Sequence, residues 1–230
     1  MSGRPYTLLS CGMSLDGYLD TAGDERLMVS NDADFDRVDE VRAGCDAILV
    51  GAGTIRSDDP RLLVRRPARR AERAARGKCP TPMKVTVTRG ADLEPGARFF
   101  ATGEADKLVY CASGAVPGAR ARLGQVATVI DGGPGVDLRR VSEDLHARGV
   151  ERLMVEGGGT VHTQFLTADL ADELHLVVAP FFVGDSRASR FVGDGRFPWN
   201  PDHRATLADV RPIGDVVLLR YALSSRFRMD

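Results

Sequence analysis

The alternation of short apolar runs with helix-like stretches constrains the fold of this chain more than any other feature of its sequence. The apolar runs, bounded by Gly, Pro or Asp, are YTLLSCG, DAILVGAG, MKVTVT, KLVYCA, VATVID and RLMVEGGG. Among them lie NDADFDRVDEVRAG and VDLRRVSEDLHARG, whose apolar residues recur at helical spacing. Such alternation is typical of buried parallel strands joined by crossover helices. The sequence therefore predicts an α/β protein with a mostly parallel central sheet and helices on both faces.

The pattern changes after Asp172, where helix-like spacing gives way to strand-like runs. These runs are ELHLVVAPFFVG and ATLADVRPIGDVVLLRYAL, and Pro-Ile-Gly-Asp within the second favours a hairpin turn. The predicted sheet therefore ends in antiparallel strands, so it is mixed and not uniformly doubly wound.

Two predicted helices carry start and stop signals. Asn31 or Asp32 can cap the first helix, and Gly44 follows it as a natural stop. Asp137 can cap the later helix, with Gly149 just beyond its end. Both patterns are those of ordinary scaffold helices.

Length and charge restrict the kind of partner. A chain of 230 residues with 43% hydrophobic content can bury a large core, and we expect a single domain over residues 1–230. A net charge of −1 creates no overall field that would attract nucleic acid or an anionic membrane. A small-molecule partner is expected instead.

The apolar stretch before Asp16 is too short for a signal peptide, and no later run approaches the length of a membrane span. We therefore expect a cytoplasmic protein. The four cysteines are far apart, with neither C-x-x-C spacing nor a histidine at ligand spacing. They predict reduced thiols and no metal site.

The segment from Arg61 to Arg76 is rich in arginine, with seven arginines against the single acid Glu72. It is either a solvated surface loop or short helix, a phosphate-binding edge, or a nucleic-acid patch. The near-zero net charge and the lack of interleaved aromatic residues argue against nucleic acid.

Three consecutive glycines, Gly157 to Gly159, follow the apolar run LMVE. One interpretation is a tight turn between a strand and a helix, because glycine enters positive φ without steric cost. The other is a phosphate cradle, because a helix that opens at glycines leaves backbone N–H groups free for an anion. The dinucleotide pattern G-x-G-x-x-G does not fit these residues, and the run alone leaves both interpretations open.

Polar clusters follow three of the predicted strands, at the position where open α/β sheets bind ligands. The first is GMSLDG, which contains Asp16. The second is VGAGTIRSDDPRLLVRR, interpreted as a loop in which Thr54 offers a hydroxyl, Asp58 and Asp59 are adjacent acids, and the arginines suit a sugar phosphate. The third is Glu156, beside the glycine run.

These clusters carry a resemblance to a known family. GMSLDGYL, RAGCDAILVGAGTIRSDDPRLLVR and LMVEGGGTVHTQFLTADLADELHLVVAPFFVG resemble the riboflavin-pathway pyrimidine reductases, and the resemblance runs over essentially the whole chain. It implies a dihydrofolate-reductase-like fold. It also implies reduction of the ribosylamino side chain of a pyrimidine 5′-phosphate to ribitylamino, with NADPH as the cofactor.

The resemblance also implies site residues. The cofactor-binding positions would be Gly12, Met28, Gly53, Thr54, Asp58, Arg89, Gly158, Gly159, Thr160 and Val161. The substrate-binding positions would be Ser14, Arg42, Leu62, Arg65 and Glu156. Asp16 and Glu156 are the catalytic candidates, orienting the sugar or polarising an imine that accepts the hydride. Arg89 would favour NADPH over NADH through the 2′-phosphate.

The chain departs from many bacterial members of this family in two respects. They have a lysine four residues before the Ser of S-L-D-G, whereas this chain has Ser10, so any proton-transfer role of that lysine has no carrier here. The H-x-E and P-C-x-x-C signals of a fused zinc deaminase are also absent, so a reductase alone is expected.

Two other functions stay open at this level. One is a different NADPH reductase of the same fold, acting on dihydrofolate or on a precursor of a specialised metabolite. The other is a non-catalytic nucleotide or nucleic-acid binding protein that uses the arginine-rich segment. The resemblance further implies a homodimer, for which the apolar strand LHLVVAPFFVG offers a pairing surface.

Overall fold

The computed structural model describes residues 3–23 and 27–229, in which strands and helices alternate along most of the chain. The strands are β1 Tyr6–Ser14, β2 Ala47–Gly51, β3 Met83–Thr88, β4 Lys107–Cys111, β5 Thr128–Asp131, β6 Arg152–Gly157, β7 Glu173–Ala179, β8 Thr206–Ile213 and β9 Val216–Ala222. The helices are α1 Asp32–Ala43, α2 Ala52–Asp58, α3 Pro67–Ala75, α4 Arg98–Ala101, α5 Val116–Leu123, α6 Leu138–Ala147 and α7 Gly159–Thr167. A short 3₁₀ turn, Ser113–Ala115, precedes α5.

The strands form a mixed sheet in the order β5-β4-β3-β2-β6-β1-β7-β9-β8. The pairs β2/β3, β3/β4, β4/β5 and β1/β7 are parallel. Strand β9 pairs antiparallel with both β7 and β8. The predicted α/β class, with a mostly parallel sheet that ends in antiparallel strands, is therefore confirmed.

The chain divides into two compact units. The first contains Val38–Met154 together with the N-terminal residues up to Pro5. Strand β2 is buried at every position, as expected for a parallel strand covered on both faces. Its core includes Ile48, Val50, Ile55, Leu62, Leu93, Phe99, Phe100, Val109 and Leu123.

The second unit contains Tyr6–Arg37 and Val155–Asp230. In one of its apolar clusters, Val177 and Ala179 of β7 pack with Val216 and Leu218 of β9. Strand β7 pairs with β1 on one side and with β9 on the other, so it lies in the interior of the sheet. Both hydrogen-bonding edges of β7 are therefore occupied within the chain. The large apolar side chains that β8 and β9 expose are Leu207, Val210 and Val217.

The predicted helix signals are confirmed by hydrogen bonds. Asn31, and not Asp32, caps α1, because its Oδ1 accepts from the backbone N of Asp34 at 3.0 Å. Asp137 caps α6 by accepting from the backbone N of Arg139 at 2.8 Å.

The C-terminal hairpin turn is also confirmed, but it is narrower than predicted. Only Gly214 and Asp215 lie between β8 and β9, and Gly214 has a φ of 65°. Pro212 and Ile213 belong to β8, which is the edge strand of the sheet, where a proline is tolerated.

The arginine-rich segment contains a short helix, α3, as one of its interpretations predicted. Arg73 within this helix is nevertheless only 5% exposed. Its Nε donates to the carbonyl of Cys79 at 2.9 Å, and its Nη1 donates to the carbonyls of Ala43 and Cys45 at 2.8 and 2.7 Å. Arg73 therefore has a structural role, fastening α3 to the connection between α1 and β2.

Within residues 3–23 and 27–229, no helix combines the length and the apolar character that crossing a membrane requires. The same residues contain no cluster of His, Cys, Asp and Glu that could hold a metal ion. The four cysteines are free thiols.

Candidate active site

The glycine run lies at the junction of β6 and α7. Gly157 is the last residue of β6, Gly158 has a φ of 89°, and α7 begins at Gly159. The left-handed conformation of Gly158 confirms a turn that favours glycine. The N-cap residue of α7 is Gly158, which has no side chain to accept from the first backbone N–H groups of the helix.

A second glycine of the run has a different reason. A Cβ on Gly159 would lie 2.2 Å from the carbonyl oxygen of Arg190, closer than any real contact. The segment around Arg190 is held against α7, because the backbone N of Gly193 donates to Oγ1 of Thr163 at 2.9 Å. Gly159 is therefore required for the close approach of this segment. The sequence carries no signal for that contact.

The same segment is tied to the turn after β1. The backbone N of Phe191 donates to the carbonyl of Gly17 at 3.0 Å. The guanidinium of Arg190 lies 4.7 Å from the ring centroid of Tyr18 and donates to its hydroxyl at 2.9 Å. These contacts place the ends of β1 and β6 under one connecting segment.

His162, on α7, is fully buried and was not singled out by its sequence context. In the described part of the chain, neither of its ring nitrogens has a hydrogen-bond partner. Its ring packs against that of Phe191, with 5.6 Å between centroids. Burial lowers the pKa of His162 to about 4, so the imidazole is neutral at neutral pH.

Asp16 is held firmly at the carboxyl end of β1. Its carboxylate accepts from Oγ of Ser14 at 2.5 Å and from the backbone N atoms of Val183 and Gly184 at 3.0 and 2.8 Å. The Ser14 hydrogen bond, with the two backbone donors, lowers the pKa of Asp16 to about 2. This catalytic candidate is therefore an ionised carboxylate at neutral pH, which can orient a ligand but has no proton to give.

The remaining predicted residues of the second unit lie near the same strand ends. A Cβ on Gly12 would lie 2.9 Å from Cγ2 of Val29, so Gly12 packs beside the segment that carries Met28. Met28 is 58% exposed, as a ligand-facing residue requires. Glu156, half-buried, precedes the last residue of β6.

In the first unit, a second strand leads directly into a helix that opens at a glycine. The stretch after β2, expected to be a loop, forms α2 from Ala52, with Gly51 at its N-cap and no side-chain cap. Gly53 is exposed, and a Cβ there would meet no atom of residues 3–23 and 27–229 within 4 Å. Gly53 and the neighbouring Thr54 therefore border open space.

The two adjacent acids after this helix have different surroundings. Asp59 has a φ of 41°, and its carboxylate accepts from the backbone N and Nε of Arg98 at 2.6 and 2.9 Å. Asp58 accepts from the hydroxyl of its neighbour Ser57 at 2.5 Å. Asp59 thus fastens this turn to α4, a distinction that sequence spacing could not make.

The predicted substrate residues of the first unit lie together. Nη1 of Arg42 donates to the carbonyl of Leu63 at 3.2 Å. Leu62 has a φ of 49° and is 3% exposed, so its side chain belongs to the core and only its backbone can meet a ligand. Arg65, three residues on, is exposed.

Arg89 follows β3 and is exposed. Because Gly51 pairs with Val87 in the parallel β2/β3 register, Arg89 lies at the same sheet edge as the start of α2. Each unit thus has some of its predicted residues at the carboxyl end of a strand, beside a helix whose N-cap is a glycine. Such starts offer backbone N–H donors and a positive dipole end, which fit the phosphates of a dinucleotide.

Comparisons with known proteins identify the family and the fold. The RibD C-terminal domain matches residues 5–219. A relative from Archaeoglobus fulgidus, named 2,5-diamino-6-ribosylamino-4(3H)-pyrimidinone 5′-phosphate reductase, is 39% identical over 194 residues, which are 84% of this chain and 87% of the relative.

Two solved structures are similar to the fold. A pyrimidine reductase-like protein from Corynebacterium diphtheriae has a TM-score of 0.79 and 21% identity, over 95% of this chain and 91% of that chain. A dihydrofolate reductase from Enterococcus faecalis has a TM-score of 0.51 and 11% identity, over 96% of this chain and 98% of that chain. The predicted dihydrofolate-reductase-like fold is confirmed. The family match covers nearly the whole chain, and this chain therefore belongs to the RibD C-terminal domain family of riboflavin-biosynthesis pyrimidine reductases.

Proposed function

We propose that this chain reduces the ribosylamino side chain of 2,5-diamino-6-ribosylamino-4(3H)-pyrimidinone 5′-phosphate to ribitylamino, with NADPH as the reductant. The substrate is the one in the name of the Archaeoglobus fulgidus relative. The observation that carries the proposal is the start of α7. A helix whose N-cap is a glycine begins there three residues after Glu156, so backbone N–H groups that can bind an anion lie near a carboxylate that can contact a sugar.

NADPH supplies a hydride from its nicotinamide ring when it is bound. The start of α7, with Gly158, Gly159, Thr160 and Val161, would bind its phosphates through backbone N–H groups. The open surface at Gly53, Thr54 and Asp58, the exposed Arg89, and Gly12 with Met28 complete the proposed cofactor contacts.

The substrate is proposed to contact Ser14, Arg42, Leu62, Arg65 and Glu156. Arginine suits the 5′-phosphate because its guanidinium can bind phosphate with two parallel hydrogen bonds. Leu62 would contribute through its backbone, since its side chain is buried.

Asp16 and Glu156 are proposed to orient the ribose chain. Asp16 is ionised, so it would accept hydrogen bonds from substrate hydroxyls or stabilise a cationic imine. The chain therefore aligns the reacting carbon and excludes water, while the cofactor carries the redox chemistry.

We further infer that residues 1–230 form one cytoplasmic reductase domain and that the protein is a homodimer. Because β7 is interior, we place the dimer contact on the exposed apolar residues of β8 and β9, Leu207, Val210 and Val217. Sedimentation of the protein with Leu207→Asp tests this placement, because a monomer is expected if the contact lies there.

The direct test is NADPH oxidation with the 2,5-diamino substrate, its deaminated counterpart and dihydrofolate supplied separately. Turnover of the 2,5-diamino compound alone is expected. Turnover of dihydrofolate instead would identify a different reductase of the same fold, and turnover of the deaminated compound would place the reaction after deamination. NADH supplied in place of NADPH, with Arg89→Ala as the paired variant, tests whether Arg89 selects the 2′-phosphate.

A further inference from the structure

A buried carboxylate on α1 holds the segment that carries Arg65. Asp39 is 2% exposed. Its Oδ1 accepts from the backbone N of Arg65, and its Oδ2 accepts from the backbone N of Arg66 at 3.1 Å and from Nη1 of Arg69 at 3.0 Å. One side chain thus fixes two consecutive peptide groups and one guanidinium.

This carboxylate is charged in the folded protein. Burial alone would raise the pKa of Asp39, but the donors from Arg65, Arg66 and Arg69 outweigh it, and the pKa lies below its usual value. A buried charge is stable only when it is paired and hydrogen-bonded. The three donors meet that condition.

The neighbouring residues restrain the same segment. Arg42, one turn further along α1, donates to the carbonyl of Leu63, and the side chain of Leu62 is buried in the core. The backbone from Leu62 to Arg66 is therefore held at successive points, while the side chain of Arg65 is exposed. A fixed backbone beneath an exposed arginine is the arrangement that lowers the entropic cost of binding an anion.

We propose that Asp39 is a positioning residue for substrate binding, which fixes the backbone from which Arg65 reaches the 5′-phosphate. The inference rests on the proposed function, because that function assigns Arg65 to the substrate. A purely structural Asp39 would instead affect substrate binding, cofactor binding and turnover alike.

A matched pair of variants at Arg66 isolates one hydrogen bond. The φ of Arg66 is −69°, a value that proline adopts, and proline has no backbone N–H. Arg66→Pro therefore removes the donor to Oδ2 of Asp39, while Arg66→Ala removes the side chain and keeps that donor. We expect Arg66→Pro to raise KM for the phosphorylated substrate about 5-fold above Arg66→Ala, with kcat and the Kd for NADPH unchanged.

Asp39→Asn has a larger expected effect, because the amide loses the charge that all three donors share. We expect KM to rise about 10-fold or more. The rise should disappear with a substrate that lacks the 5′-phosphate, and also in an Arg65→Ala background. Arg69→Gln, which keeps both backbone donors, should raise KM less.

Amide hydrogen exchange makes the inference testable apart from the reaction. The N–H groups of Arg65 and Arg66 should be protected in the wild type and exchange faster in Asp39→Asn. The positioning role would be overturned if Asp39→Asn weakened substrate binding, NADPH binding and turnover to the same extent. It would also be overturned if KM rose as much for a substrate without the 5′-phosphate. Absence of wild-type turnover would instead contradict the proposed function, and unchanged exchange would contradict the role of Asp39 itself.

Discussion

The junctions β6–α7 and β2–α2 look alike in sequence and differ in structure. In both, a buried strand runs directly into a helix whose N-cap is a glycine without a side-chain cap. At the first, a Cβ on Gly159 would collide with the backbone of Arg190 at 2.2 Å. At the second, a Cβ on Gly53 would meet no atom within 4 Å in the part of the chain that the structure describes.

The two junctions show two different reasons for a glycine, which the sequence pattern alone does not distinguish. Gly159 allows another chain segment to approach, so its requirement is met inside the folded protein. Among the described residues, no atom lies within 4 Å of a Cβ on Gly53, so the backbone there is open to the approach of a ligand. A side chain added at Gly159, in the closed β6–α7 junction, should therefore lower stability, whereas a side chain added at Gly53, in the open β2–α2 junction, should weaken cofactor binding.

The largest expected effect concerns His162 in the closed junction. The folded imidazole titrates at about 4, whereas its ordinary value is 6.5. Between these values the unfolded chain binds a proton that the folded chain does not, so stability falls as pH falls from 6.5 towards 4. His162→Leu should remove this loss, which is on the order of 3 kcal/mol across that window.

Urea unfolding at a series of pH values measures this difference. The exposed His203, changed to Leu, is the control and should leave the pH dependence of the wild type intact. If wild type and His162→Leu lose stability equally as the pH falls below 6.5, the buried imidazole does not cause the loss of stability in acid.

Gly159→Ala should give the next largest effect. The added methyl group meets a backbone carbonyl, which cannot rotate away as a side chain could, so we expect a loss of about 1–3 kcal/mol in the free energy of unfolding. Thermal unfolding measures it. An unchanged transition temperature would mean that the segment at Arg190 moves away without cost.

Asp58 and Asp59, at the end of α2, should differ in their effects: Asp59 on stability and Asp58 on NADPH binding. Asp59→Ala loses the contacts to Arg98 and places alanine at a positive φ, so a stability loss of about 1–2 kcal/mol is expected. Asp58→Ala should leave stability within about 0.5 kcal/mol and weaken NADPH binding. Thermal unfolding and a fluorescence titration with NADPH, applied to both variants, would refute the distinction if they gave the same result.

The smallest stability effect is expected for Gly53→Ala in the open junction. Alanine favours a helix over glycine, so stability should stay equal or rise by up to about 1 kcal/mol. NADPH binding should weaken, because the methyl group enters the space assigned to the cofactor. Unchanged NADPH affinity would remove Gly53 from the proposed site.

Much of the fold could be predicted because its signals are local. Apolar runs predicted the strands, helical spacing predicted the helices between them, and Asn31 and Asp137 indicated the starts of two helices. The family resemblance, rather than spacing, supplied the site residues. Helix α2 was missed because its seven residues, AGTIRSD, include a glycine and are too few to show an apolar periodicity.

What could not be predicted depends on residues that are distant in sequence. The contact of Arg190 with Gly159, the pairing of Arg98 with Asp59 and the bonds from Asp39 to the Arg65 segment all arise only in the folded chain. Composition cannot separate a fastening arginine from a solvated one, because both have the same residue type and similar neighbours.

The difference between a buried, hydrogen-bonded arginine and a solvated one has a practical consequence for Arg73. It belongs by sequence to a group of surface cations, yet three backbone carbonyls surround its guanidinium. A dicarbonyl reagent that labels arginine should modify exposed Arg70 and Arg76 early and reach Arg73 only when α3 detaches. The rate at which Arg73 is labelled would thus report the rate at which this helix opens locally.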